Sequence, residues 1–155
     1  MSNVVKLISG GTRLVLDACK GRRTIAEAKE SFVYIDPNFK NWGTDVAGKA
    51  TPATPVAVHD LVEDANFAKM FGALADDPGK LVLTQDQILQ FVEKHRSWLR
   101  QDGWATFFLF QSGSEFFVAY VICDSDGHLG VYVGRFGVVS AWDAELRHRL
   151  VVPQL

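Results

Sequence analysis

Two neighbouring stretches of this chain are apolar on both of their alternating sets of positions, and no other feature restricts the fold as much. In 106–110, Phe108 and Phe110 alternate with Phe107 and Leu109; in 115–123, Phe116, Val118 and Ile122 alternate with Phe117, Ala119 and Val121. Successive side chains of a strand point to opposite faces, so strands of this kind need cover on both sides. The segment just before them can supply one cover. Thr84 and Gln87 have the spacing of a capping box, and Ile88, Phe91, Val92, His95, Trp98 and Leu99 fall on one stripe, which predicts an amphipathic helix over about 84–100. Burying the apolar part of that stripe contributes on the order of 10 kcal/mol before chain entropy is subtracted, so the helix must lie on an apolar surface.

Two more β runs follow, 128–136 and 146–152. Ser112-Gly113 and Asp126-Gly127 mark tight reversals, whereas the connection through Trp142-Asp143-Ala144-Glu145 is longer. Local pairing then predicts a four-stranded antiparallel meander packed against the helix. Its first two strands form the buried centre. The last two, with one apolar face each, form the exposed margin. The second face of the centre is expected to be covered by the N-terminal half of the chain, the alternative being a second copy in a homodimer.

In the N-terminal half, the runs 4–8 and 13–17 joined by Ser9-Gly10-Gly11-Thr12 read as a β-hairpin. Thr24-Ile25-Ala26-Glu27 has the form of a capping box opening a short helix to about Ser31. The run 32–35 reads as a strand closed by Asp36-Pro37. Residues 41–55, rich in Gly, Ala, Thr and Pro, form an exposed loop. A strand over 56–61 follows, then a second short helix carrying Phe67, Met70, Phe71 and Leu74 behind the cap residue Asp64. The fold class is α+β. At 155 residues the whole chain, 1–155, is read as a single domain with 41–55 as an excursion within it.

Charge and motifs remove several classes of function. Sixteen basic and 18 acidic residues leave a formal net charge of −2, too small and of the wrong sign to draw in nucleic acid or an anionic membrane. No apolar run approaches the roughly 18 residues of a spanning helix, and the first residues lack a secretory layout, so a soluble, cytoplasmic protein is expected. Cys19 and Cys123 lie far apart, and the four histidines show no ligand spacing, so neither a metal nor another cofactor is expected. Asp124-Ser125-Asp126-Gly127 has its glycine two places early for a calcium loop and reads as a turn. There is no G-x-S-x-G, and Ser9-Gly10-Gly11-Thr12 lacks the Gly-Lys-Ser/Thr ending of a phosphate loop.

These exclusions lean away from an enzyme and toward a non-enzymatic binding or protein-interaction module. If the third and fourth runs pair, Tyr132, Arg147 and Arg149 share an outer face near Trp142, giving an aromatic-basic patch suited to a protein partner. The alternative is a small-molecule or anion-binding protein, an enzyme with dispersed site residues included. Its anion site is Lys20, Arg22 and Arg23 before a helix N-terminus, where cations and free amides converge.

Overall fold

In the computed structural model, which describes residues 4–154, the two doubly apolar runs become neighbouring strands inside an eight-stranded mixed sheet. The strands are β1 (Val5–Leu7), β2 (Leu14–Leu16), β3 (Tyr34–Ile35), β4 (Thr54–Leu61), β5 (Ala105–Ser112), β6 (Glu115–Cys123), β7 (Leu129–Arg135) and β8 (Arg149–Pro153). Their lateral order is β1, β4, β8, β5, β6, β7, β3, with β2 following β1 along the same edge of β4. Three helices accompany them: α1 (Asn38–Asn41), α2 (Phe67–Gly72) and α3 (Gln85–Lys94). Among the described residues no helix is long and apolar enough to cross a membrane. Met1 to Asn3, on which the reading of the N-terminal layout depends, lie outside the described residues.

The meander has three strands rather than four. β5, β6 and β7 pair antiparallel in sequence order. β8 crosses instead to the far side of β5, running parallel to it with Phe107 opposite Leu150, and antiparallel to β4 with Val58 opposite Val151. The long connection explains this. A short turn would force β8 antiparallel beside β7, but the chain after β7 passes over the sheet, where Trp142 packs on Phe107 and Tyr120 with ring centroids 4.8 and 5.3 Å apart. A chain that crosses the face before pairing arrives at the opposite edge of β5. The fourth run is therefore a buried central strand and not an exposed margin. Pro153, which has no amide to donate, sits at its last position, opposite Val56 and beyond the stretch paired with β5.

The N-terminal hairpin is also replaced. β1 and β2 both run antiparallel to β4, so they run in the same direction and form one edge strand interrupted at 8–13. The interruption leaves Val58 opposite the gap, and the loop satisfies it: Ile8 N donates to Val58 O and Val58 N donates to Ser9 Oγ, both at 2.9 Å. The Gly10-Gly11 turn, closed by Thr12 N donating to Ser9 O at 3.0 Å, lets the loop bulge outward instead of reversing the strand.

Both faces of β5 are covered from within the chain. On the first face Ile88, Phe91 and Val92 of α3 pack with Phe108, Phe110 and Val151, joined by Leu16, Ile25 and Phe39. On the second, Phe67, Met70 and Phe71 of α2 pack with Phe107, Leu109, Val118 and Leu150. The N-terminal half thus contributes to both covers.

The helices differ from their sequence reading in extent. The capping box of α3 is formed, with Gln87 N donating to Thr84 Oγ1 at 3.1 Å and Thr84 N to Gln87 Oε1 at 2.9 Å. The helix ends at Lys94, and Arg96–Trp98 follow as a 3-10 turn. The helix expected from Ile25 is a single 3-10 turn, Ile25–Glu27, because Thr24 caps nothing and the Ile25 amide is taken by Gln85 Oε1 at 2.9 Å. Asn66 caps α2, while Asp64 accepts the amide of Ala144 at 2.8 Å. Loop 41–55 is exposed for most of its length, yet Thr44 is fully buried and its carbonyl accepts from Gln85 Nε2 at 2.7 Å. The polar side of α3 explains both anchors. Gln85, Asp86, Gln87 and Gln90 are buried, and they bind the backbone or side chains of the segments that cross over them.

Candidate functional site

Where the edge strand is interrupted, a cleft of about 950 Å³ opens against β4. Its walls come from distant parts of the chain. β4 supplies Ala57 and His59, β8 supplies Val152, and Leu74 and Leu81 come from the segment beyond α2. Half-exposed Leu7, at the end of β1, completes an apolar wall. Gln154 N donates to Pro55 O at 2.9 Å, which holds Gln154, just after β8, against β4 at one end.

The other end of the cleft is polar. Ser9 is 5% exposed, and because its Oγ already accepts from Val58, its own proton is what it can offer a ligand. The amides of Gly10 and Gly11 have no hydrogen-bond partner among the described residues. Arg13 is exposed and forms no ion pair among them. Among the described residues no Asp or Glu side chain lines the cleft. His59 is half-buried with its Nδ1 sequestered and unpartnered, and burial holds its pKa below the usual histidine value, so the ring is neutral at pH 7. Donors, one unpaired cation and an apolar wall therefore meet in one concave site.

The residues expected to form an aromatic-basic patch do not share a face, because β7 and β8 do not pair. Tyr132 lies in a row of tyrosines, its ring stacked on Tyr120 at 5.4 Å and tilted against Tyr34 at 5.2 Å. Trp142 abuts Tyr120 edge-on at 5.3 Å, so these two expected residues belong to one aromatic row. Arg149 sits on the opposite face, level with Thr106, where its Nη1 donates to Trp98 O at 3.0 Å and its Nε lies 3.5 Å from Asp60 Oδ1. Arg147 is exposed in a left-handed conformation, φ 52°, and its carbonyl accepts from Arg100 Nε at 2.9 Å.

At the basic turn, Lys20 and Arg22 are exposed. Arg23 is bound by Glu93 at 2.8 Å and by Asp86 at 2.7 Å, and these carboxylates raise its pKa further. The Gly21 amide donates to Asp86 at 2.9 Å. The guanidinium and the Gly21 and Ile25 amides are thus all engaged by side chains of α3. Asp124, Asp126 and His128 place donor atoms within 4.8 Å of one another, all on exposed side chains. Asp124 Oδ1 accepts the amides of Asp126 and His128 at 2.9 Å, closing the turn between β6 and β7.

One buried polar group lies apart from these sites. His148 is 2% exposed, and its Nδ1 accepts from Ala105 N at 2.9 Å, which places its single proton on a buried, unpartnered Nε2. Burial lowers its pKa, and the charge of Arg100 adds to the effect. His59 is shifted in the same direction. Because both rings are harder to protonate folded than unfolded, their stabilisation is complete above the unfolded value of about 6.5 and is lost as pH falls below it. Denaturant midpoints should therefore drop as pH falls below about 6.5. His148→Asn, whose side-chain oxygen can still accept the Ala105 amide, should flatten that slope; an unchanged slope would refute the assignment.

Sequence reasoning set Ser9-Gly10-Gly11-Thr12 aside as a hairpin turn without a phosphate-loop ending, counted His59 among histidines lacking ligand spacing, and gave Arg13 no site role. A glycine pair beside an arginine is a visible signal, but the cleft exists only because residues near 74, 81 and 152 arrive beside it. Comparison with known proteins found no family model, no curated protein and no solved structure that matches this chain.

Proposed function

We propose that this protein is a binding module for a small amphipathic molecule held in the cleft between the 8–13 loop, β4 and the segment after α2. The reading rests on one observation: an apolar wall and a cluster of unengaged donors line the same cavity of about 950 Å³. Ligand sites are concave, mostly apolar and carry a few convergent polar groups, and a cavity of 300–1,000 Å³ is typical of them. A neutral apolar dye such as Nile red tests the apolar half. Its fluorescence should rise on addition of the protein. Leu7→Asp should weaken binding at least tenfold while leaving the far-UV circular dichroism intact, since Leu7 is 49% exposed and carries little of the core. Equal enhancement with wild type and variant, or none with wild type, would overturn the proposal.

A further inference from the structure

The polar end of the cleft specifies more than amphipathic character. Resting on the reading above, we infer that the natural ligand carries a single carboxylate, seated between Arg13 and the Ser9-Gly10-Gly11 turn, with its hydrocarbon body along Leu7, Leu74 and Val152.

Several cations of the chain are matched, Arg23 by Asp86 and Glu93, Lys40 by Glu27, Lys94 by Asp17 and Arg135 by Glu115, while others, Lys20 and Arg22 among them, are exposed outside the cleft. Arg13, the cation among the described residues that line the cleft, has no ion-pair partner among them, and none of them contributes an acidic side chain to the cleft. Beside it, the turn closed by Thr12 N on Ser9 O leaves the Gly10 and Gly11 amides unused, and the buried Ser9 hydroxyl retains a proton to give. Amides and a guanidinium donate and do not accept, so an acceptor-only head group fits them, and a carboxylate matches the planar fork of an arginine with two oxygens. A single cation balances one negative charge. A doubly charged phosphate would leave one charge unmatched in a site partly screened from water. The imidazole of His59, neutral at pH 7, adds no second positive charge.

Octanoate and 1-octanol separate this inference from the reading beneath it, because they share a hydrocarbon chain and differ in the head. In titration calorimetry at low salt, octanoate should bind the wild-type protein at least tenfold tighter than 1-octanol. Arg13→Glu, a change at an exposed, unpaired side chain, should weaken octanoate at least tenfold and leave 1-octanol within twofold. If the two bind equally well and Arg13→Glu alters neither, the carboxylate assignment falls while the cleft reading stands. If Arg13→Glu weakens both alike, the carboxylate assignment falls too, since the effect is then not on the head group. If neither ligand binds wild type, both proposals fall. Thermal melting of the variant within a few degrees of wild type establishes that the comparison is made on folded protein.

Discussion

Gly21→Ala will destabilise the protein by about 3 kcal/mol or more, and the variant will accumulate poorly or not at all in folded form. A Cβ at this position would lie 2.1 Å from the carbonyl oxygen of Lys49 and 2.3 Å from its carbon. Both are backbone atoms, so no rotamer change relieves the clash. The residue also has φ +77°, a left-handed conformation that any side chain disfavours. Relief would require residues 49–50 to move away, and that segment is tied down by the reciprocal Cys19–Thr51 hydrogen bonds at 2.9 Å. Chemical denaturation measures the loss. A variant that melts within 2 °C of wild type would show that the 17–23 and 44–54 segments do not pack as described.

Asp86→Ala should cost nearly as much, about 3 kcal/mol, for a different reason. Asp86 is 6% exposed and accepts from Gly21 N at 2.9 Å and from Arg23 Nε at 2.7 Å. Its removal leaves a buried amide with no acceptor, at about 1–3 kcal/mol, and strands a guanidinium that had one carboxylate on each side. Arg23 is 45% exposed and keeps Glu93, so the full 3–5 kcal/mol of a broken buried pair does not apply. The double variant Asp86→Ala with Arg23→Ala separates the two contributions. It should recover part of the loss but not all, because the Gly21 amide remains unsatisfied. Complete recovery would assign the whole effect to the ion pair.

These residues also mark where the sequence was legible. The α3 capping box, the apolar stripe through Ile88, Phe91 and Val92 and the β5–β6–β7 meander follow from periodicity and turn chemistry, which are local. The polar side of α3 does not. Gln85, Asp86 and Gln90 look like solvated helix positions, and only the segments folded across them make them buried anchors. Strand order failed for a similar reason. Arg147 and Arg149 were placed beside Tyr132 by assuming that consecutive strands pair, and a thirteen-residue connection led by Trp142 carried β8 elsewhere. The anion expectation at Lys20, Arg22 and Arg23 counted on free amides at a helix start, whereas the Gly21 and Ile25 amides and the Arg23 guanidinium are engaged by α3 side chains sixty and more positions away. The cleft depends on such distant meetings throughout.

The placement of β8 bears on how the chain reaches this state. Among the described residues it is the one strand that joins two half-sheets, β1-β2-β4 on one side and β5-β6-β7-β3 on the other, which do not otherwise pair with each other. The three-strand meander can close by local contacts, but joining the halves requires Val58 to find Val151 and Phe107 to find Leu150, contacts of long sequence separation whose loop entropy is met before they stabilise anything. Until that strand inserts, β4 and β5 each present an unpaired edge, the kind of surface on which chains associate with one another. The interval before insertion is thus when a newly made chain is most exposed to self-association, and the same event that ends it brings Val152 into place and completes the cleft against β4.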